Sequence, residues 1–245
     1  MTDSAHRLEE PQPGYVARTL LRWFMRPARV AAVAAISDNF RLIDLEGDAL
    51  KNIDWTVGQK LQISMGTGLT ARTYTPMSWD PEHGRTRLLA FMHGDAPGSR
   101  WVEGLREGDM CQFLGPRRSL DPSGIEAPLV LFGDETSFAL ASALSAVRRL
   151  RPILIFEVTD IAQSRSVLEG IGLGDATVIA RASDDAHLGA AAGAVVAHAS
   201  AGVHFVLTGR AAAIQHVNRA LRAAGVGSSR MKAKAYWAPG KTGLD

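Results

Sequence analysis

The sequence predicts two regions of different fold, an antiparallel β-barrel followed by a doubly wound parallel sheet with helices on both faces. Residues 30–115 contain six short segments that are apolar or alternating, and Gly, Pro, Asp or Asn separates most of them. Such spacing is typical of antiparallel strands. From residue 128 onward, apolar runs alternate with helical patterns. This second rhythm indicates a parallel α/β sheet.

The six barrel segments begin with RVAAVAAIS and FRLIDLEG, continue through QKLQISMG and ARTYTPMS, and end with RLLAFMHG and DMCQFLGP. In ARTYTPMS, strand alternation puts Arg72 and Tyr74 on one face and Thr73 and Thr75 on the other. Pro76 has no N–H to give to a neighbouring strand, so the strand ends there or lies at a sheet edge. One face therefore offers a cation beside an aromatic ring, which suits a large anionic ligand but also occurs in ordinary edge strands.

The second region starts with PLVLFG, a continuous apolar run expected of a strand buried on both faces. A helix follows, then the strands PILIFEV, ATVIA and VHFVLTG, with an Ala-rich helix over 186–200. The last helix carries an apolar stripe and ends at Gly225. We predict a barrel domain over 1–122, which includes a short basic helix over 18–30 that covers one barrel end, and an α/β domain over 123–245 with a basic C-terminal segment.

Composition narrows the class of protein. The 245 residues are 46% hydrophobic and 21% charged, with a net charge of +2, so the surface as a whole does not resemble a nucleic-acid or membrane platform. Cys111 is the single cysteine, which rules out an intrachain disulfide. The polar, acidic start and the lack of a long apolar run predict a cytoplasmic protein without stable membrane association. We also expect a monomer that binds no nucleic acid.

Other chemistries find little support. The chain has no Gly-x-Ser-x-Gly elbow, Walker loop or His-Glu-x-x-His motif. Its seven histidines lack ligand spacing, and one cysteine cannot build a zinc or iron–sulfur site, so no protein metal site is predicted. A Gly-x-Gly-x-x-Gly fingerprint is also missing, so any dinucleotide binds without the usual Rossmann phosphate loop.

Five motifs in order resemble those of the siderophore-interacting protein family, FAD-binding ferric-siderophore reductases with a ferredoxin-NADP reductase-like fold. The Arg-x-Tyr-Thr segment at 72–75 is similar to a flavin-binding signature of that fold. HGDAPGSRW, GDMCQFLGPR, FGDETSFA and YWAPGK are similar to motifs of the family. Two departures stand out: Arg210 stands where an acid is expected, and Ala238 where the family often has Arg. Pro97-Gly98 also reverses the expected order.

The resemblance implies specific roles. Arg72 would pair with the phosphates of FAD, and Tyr74 would pack against the isoalloxazine. Thr75 would hydrogen-bond near the hydride-accepting N5, so Tyr74 and Thr75 are the residues at the reacting centre. The implied cofactor-binding residues are Arg72, Thr73, Tyr74, Thr75, His93, Gly94, Ser99, Trp101, Asp134, Thr136 and Trp237. Arg181 and Arg210 follow successive strands and could meet a ribose phosphate.

The implied function is a reductase in which NAD(P)H gives hydride to FAD and electrons then reach Fe(III) in a siderophore. The implied substrate-binding cations are Lys241, Lys234, Arg117 and Arg118, although a run of charges such as Arg230, Lys232 and Lys234 also occurs on solvated surfaces. Two alternatives stay open. One is a general NAD(P)H:flavin or quinone reductase, and the other is a non-catalytic flavin-binding electron carrier or sensor.

Overall fold

The computed structural model describes residues 24–65, 71–94 and 96–240. Two sheets account for most of this part of the chain. The strand β1 begins at Arg26, so the last residues of the helix predicted over 18–30 are extended instead. Pairing with two neighbouring strands satisfies their backbone groups, which overrides the local helical pattern. The rest of that predicted helix lies outside the described residues.

The first sheet is antiparallel and has seven strands, in the order β4-β3-β7-β1-β2-β6-β5. Their bounds are Arg26–Ser37 (β1), Phe40–Glu46 (β2), Lys60–Ser64 (β3), Ala71–Tyr74 (β4), Pro76–Asp80 (β5), Arg85–Phe91 (β6) and Met110–Arg117 (β7). The predicted segment ARTYTPMS divides into β4 and β5, which are the two edges of the sheet. Only Thr75 separates these edges in sequence, so the sheet must curl until they approach each other. Pro76 lies at an edge, as predicted.

One helix, α1 (Pro97–Gly104), lies between β6 and β7. The sequence analysis assigns no helix to the motif HGDAPGSRW, whereas the structure is helical from Pro97 onward. Pro97 occupies the first turn of the helix, where its missing N–H costs nothing and its fixed φ favours helix.

The second sheet has five parallel strands in the order β10-β9-β8-β11-β12. The strands are Leu129–Gly133 (β8), Ile153–Val158 (β9), Thr177–Ala180 (β10), His204–Arg210 (β11) and Met231–Trp237 (β12). The helices are Phe138–Val147 (α2), Ile161–Gly170 (α3), Leu188–Val196 (α4) and Ala211–Ala223 (α5). The order moves outward from β8 and then restarts at β11 on its other side. The doubly wound fold is confirmed, with its switch point between β8 and β11.

A single hydrophobic core joins the two sheets. It includes Phe40 of β2 and Leu89 of β6 together with Phe138 of α2 and Phe156 of β9. The Phe40 and Phe138 rings stack with centroids 5.6 Å apart, and Phe156 meets Phe138 edge-on at 4.8 Å. This packing fixes where the parallel sheet sits on the first sheet. The predicted division at 122/123 falls in the β7–β8 connection and remains a prediction.

Within the described ranges, no helix is both long and apolar enough to span a bilayer.

Candidate active site

Strand β4 presents the predicted pair as expected. Arg72 lies opposite Ile63 and Tyr74 opposite Leu61 in the β3–β4 register, so Arg72 and Tyr74 share a face and Thr73 points to the other. The Arg72 charge acts to lower the pKa of Tyr74, but burial acts more strongly and raises it. The phenol therefore stays neutral at physiological pH. The Tyr74 ring packs near Trp101 of α1, with centroids 6.4 Å apart.

The start of α1 lies beside Arg72. A Cβ added to Gly98 would stand 3.2 Å from Arg72 Cγ, so only glycine leaves the arginine its present position without a shift. No side chain caps this helix end. Its free N–H groups and its positive dipole end therefore face the same region as the Arg72 guanidinium, a combination suited to a phosphate.

The turn before α1 holds other predicted residues. Gly94 has φ +59, a conformation that glycine adopts without strain. Ser99 is buried and donates weakly to the His93 carbonyl at 3.4 Å, so its hydroxyl is turned toward the protein. Contact between Ser99 and a cofactor stays a prediction.

Thr75 faces the end of β12. The Tyr236 hydroxyl is buried and forms no hydrogen bond with good geometry in the described part of the chain, although Thr75 lies close enough to act on its pKa. Burial is the larger effect and raises the pKa of Tyr236 to about 12. A buried hydroxyl without a partner is costly, so this site favours a ligand that offers a hydrogen bond between β4 and β12.

Trp237 is held from three sides. Its Nε1 donates to Asp134 Oδ2 at 2.7 Å, the Arg181 guanidinium carbon lies 5.6 Å from its ring centre, and the His93 ring stacks on it with centroids 6.3 Å apart. The contact with His93 links the end of β6 to the end of β12. The structure thus brings together residues that lie far apart in sequence.

Asp134 occupies the switch point of the parallel sheet. Its side chain is fully buried and accepts from the Thr136 N–H at 2.9 Å, which caps the 3₁₀ turn Glu135–Ser137. Burial raises the pKa of Asp134 to about 6, although hydrogen bonds from Thr136 and Trp237 oppose the rise. Gly209, at φ +94, leaves room for it, because a Cβ there would lie 2.5 Å from the carboxyl carbon. Direct contact of Asp134 with a ligand remains untested.

A cleft of about 280 Å³ opens between the two sheets. The turn after β6, the turn after β8, the start of α3 and the end of β12 line it. Five predicted residues lie along this cleft, namely His93, Gly94, Thr136, Arg181 and Trp237. Its position at the carboxyl ends of the parallel strands is where doubly wound sheets bind ligands. The sequence prediction missed Glu135 and Asp160, which also line the cleft.

A buried charge network lies behind the cleft. Arg210 bonds both carboxylate oxygens of Glu157, at 2.8 and 3.1 Å, and pairs with Asp185 at 2.7 Å. His187 Nδ1 accepts from a backbone N–H, so the ring proton lies on Nε2, which bonds Glu157 at 2.7 Å. Burial alone would raise the pKa of Glu157, but these hydrogen bonds and charges outweigh burial and lower it.

The network also explains the position of Arg210, which stands where the resemblance implies an acid. Its side chain is 7% exposed and faces Glu157 of β9 and Asp185 of the turn after β10, so in this structure it does not face a ribose phosphate. One signal was available in the sequence, because Glu157 interrupts the apolar run PILIFEV. A charge inside a buried strand calls for a partner.

The predicted substrate cations among the described residues lie on β12 and at the end of β7. Alternation along β12 puts Lys232, Lys234 and Tyr236 on one face. Lys232 reaches the Asp121 carbonyl, and Tyr236 lies near Thr75, so Lys234 stands between these two contacts. β7 ends at Arg117, which bonds Gln62 at 3.2 Å, and Arg118 follows it close to Asp121, which Lys232 of β12 also contacts. Lys241 lies outside the described residues.

Three solved structures share this fold over most of the chain. The siderophore-interacting protein SipS from Aeromonas hydrophila is 19% identical, with a TM-score of 0.71, covering 89% of this chain and 93% of that one. A siderophore utilization protein from T. fusca is 20% identical, with a TM-score of 0.67 and coverage of 90% and 95%. Phthalate dioxygenase reductase is 14% identical, with a TM-score of 0.71 and coverage of 90% and 71%. No curated protein sequence matches the chain.

These similarities establish a ferredoxin-NADP reductase-like fold, as predicted. Residues 59–120 match the model of the siderophore-interacting FAD-binding domain. The resemblance to the siderophore-interacting proteins is therefore confirmed, and the matched segment contains β3 to β7 with the Arg72 and α1 region. Together the matches support an FAD-binding protein with this fold.

The residues present fit FAD on structural grounds. Arg72 and the uncapped start of α1 converge on one place and would hold its diphosphate. Tyr74 lies on the same face as Arg72 and would meet the ring system. The Tyr236 hydroxyl, which has no well-aligned hydrogen-bond partner among the described residues, lies beside Thr75 and would bond a ligand there.

Proposed function

We propose that the protein is a flavin-dependent reductase that takes hydride from NAD(P)H through FAD and reduces ferric siderophores. The observation that carries the proposal is that an anion-binding region and a ligand cleft lie next to each other where the two sheets join. The anion-binding region of Arg72 and α1 lies on the first sheet, and the cleft lies at the carboxyl edge of the second. Thr75, His93, Tyr236 and Trp237 lie where they join.

The protein's own residues have positioning roles in this proposal. Arg72 binds the diphosphate with a fork that keeps its charge at any physiological pH. Tyr74 stays a neutral phenol because its pKa is raised, and it would cover one face of the flavin ring. The stacked rings of Trp237 and His93 form the wall on the side of the cleft. When bound, FAD would supply a carrier that accepts two electrons together and releases them singly. No residue needs to act as a general acid or base.

The substrate is proposed to bind beside β12, where the predicted cations lie. Lys234, Arg117 and Arg118, with Lys241 beyond the described residues, would attract an anionic ferric chelate. At an effective dielectric near 20, each close pair gives about 4 kcal/mol at 4 Å, and salt weakens it. One hydride carries two electrons, so one NAD(P)H reduces two Fe(III) centres. Fe(II) is held less tightly by hard oxygen ligands, so reduction releases iron. We further propose a cytoplasmic monomer that binds no nucleic acid and associates with no membrane.

The cofactor site is tested with Arg72→Ala. Losing a charge-assisted bidentate contact of about 1.5–3 kcal/mol should raise the Kd for FAD by about tenfold or more. Arg85→Ala is the matched control, because Arg85 is an exposed arginine of the same sheet with only a 3.6 Å contact to Glu46. Fluorescence titration of the flavin-free protein gives both constants. Equal affinity in the two variants would remove Arg72 from the site.

Turnover assays separate the proposed substrate from its alternatives. With NADH or NADPH as donor, we expect kcat/KM for ferric siderophores to exceed that for free flavin or quinones by at least about tenfold. The reverse ranking would indicate a general flavin or quinone reductase. A protein that binds FAD but shows no absorbance loss on anaerobic mixing with either donor would be an electron carrier or sensor.

A further inference from the structure

The cleft between the sheets is acidic. Of the residues described along it, Arg181 is the one arginine or lysine, whereas Glu135 and Asp160 each contribute a carboxylate. The adenosine end of a dinucleotide donor is the part that distinguishes NADH from NADPH, because only NADPH carries a ribose 2′-phosphate. A site for that phosphate needs a cation with a free side.

Arg181 is already committed to protein partners. Its Nη2 pairs with Glu135 at 2.6 Å and also bonds the Glu157 carbonyl at 3.1 Å, while Nη1 donates to Thr159 at 2.9 Å. The side chain is 16% exposed and lies over Trp237. Most N–H groups of the Arg181 guanidinium therefore bond to the protein, and the negative charge of Glu135 balances the positive charge of Arg181.

Arg210 cannot replace it. Its guanidinium is turned toward Glu157 and Asp185, and 7% of the side chain is exposed. Moving it into the cleft would leave Glu157 buried with one strong partner fewer, which is costly for a carboxylate. The two arginines that sequence reasoning offered for a ribose phosphate are thus both neutralised.

Asp160 lies where an acid favours an unphosphorylated ribose. It follows β9, which is the second strand of the doubly wound sheet in chain order and the direct neighbour of β8. Asp160 therefore lies at the carboxyl ends of the strands, as the switch-point cleft does. In doubly wound dinucleotide-binding sheets, an acid in this region hydrogen-bonds ribose hydroxyls and repels a 2′-phosphate. Asp160 is exposed and lines the cleft, and its Oδ1 accepts from the Gln163 N–H at 2.9 Å.

We propose that this cleft selects NADH over NADPH, with Asp160 and the Glu135–Arg181 pair as the residues that set the choice. The inference rests on the proposed function, since it assumes that the electron donor binds here.

Binding of donor fragments tests this without any turnover. Calorimetric titration of the flavin-loaded protein with ADP-ribose and with 2′-phospho-ADP-ribose compares the two adenosine ends directly. We expect ADP-ribose to bind at least tenfold more tightly. In Asp160→Asn, which keeps an oxygen to cap α3, the ratio should fall at least threefold. In Glu135→Gln, which frees the Arg181 charge, the phosphorylated fragment should bind at least threefold more tightly.

Asp175→Asn is the matched control. Asp175 is an exposed aspartate in the turn before β10, at the opposite edge of the same sheet, so it changes the net charge equally without touching the cleft. Its binding ratio should equal that of the unmodified protein. Asp160 lies on the surface, so its variant keeps the test available if Glu135→Gln does not fold.

The outcomes separate the two proposals. Equal or tighter binding of the phosphorylated fragment, with unchanged ratios in both cleft variants, would overturn the selection of NADH and leave the reductase in place. Failure of both fragments to bind, together with no oxidation of NADH or NADPH, would overturn the donor site and the proposed function with it.

Discussion

Asp134 shows how one residue links folding to the site. It caps the turn after β8 and fixes Trp237, yet its carboxylate is fully buried, and burial raises its pKa from 3.8 to about 6. An acid with a higher pKa in the folded chain binds more protons when folded. Folding stability from this group is therefore largest below about pH 4, falls as pH rises to about 6, and stays at the lower level above that.

Asp134→Asn should remove this pH dependence. The fall in unfolding free energy between pH 4 and pH 6, of about 2 kcal/mol from a two-unit shift, should be present in the unmodified protein and missing in the variant. Urea unfolding at several pH values measures it, and Asp175→Asn should retain the full slope. A slope in Asp134→Asn that equals the unmodified one would contradict the assignment.

At the scale of elements, α1 carries the most specific expectation. A Cβ added to Gly98, at its start, would stand 3.2 Å from Arg72 Cγ, whereas a Cβ at Gly104, at its end, would meet open space. Gly98→Ala should shift Arg72 by a few tenths of an ångström and weaken FAD binding about threefold, less than Arg72→Ala does, and Gly104→Ala should leave the Kd unchanged. Both changes should favour the helix by about 0.5–1 kcal/mol. Unfolding curves with FAD titrations check the pair, and equal Kd values would refute a role for close contact between Gly98 and Arg72.

The elements also show what sequence can and cannot predict. Strands such as PLVLFG and ARTYTPMS can be predicted from apolar runs or from alternation, because those patterns follow from how a sheet buries side chains. Strand β12 was predicted only as a basic segment, since lysines alternate with alanines on an edge strand. The sequence analysis did not predict helix α1, because Gly and Pro in the motif HGDAPGSRW are residues typical of loops.

Contacts between distant residues were the harder part of the site. The motifs predicted Arg72 and Tyr74 on one face, and local alternation was enough for that. The pairing of Arg210 with Glu157 joins residues 53 positions apart on two strands that are not neighbours. Nothing local in either segment specifies the partner, so the neutralisation of Arg210 became visible only in three dimensions.

For the whole molecule, the shared aromatic core sets the distance between the two binding regions. Phe40→Ala should lower unfolding free energy by about 3–5 kcal/mol and also slow hydride transfer, since a displacement of about 1 Å can cost 10²-fold in rate. Phe205→Ala is the control, because Phe205 is equally buried but packs between the second sheet and helices α4 and α5, without contact to the first sheet's cluster. Anaerobic stopped-flow mixing with the donor should show slower bleaching in Phe40→Ala only. Equal rates would mean that the core stabilises without positioning.

The single-residue joint at Thr75 has a consequence for how this chain can vary. Lengthening it by one amino acid would let the two margins of the curled sheet move apart and would turn every β5 side chain to the opposite side, because side chains alternate along a strand. Loops elsewhere tolerate added length far better. Insertions in related chains should therefore be missing at this joint, even where neighbouring turns differ in size.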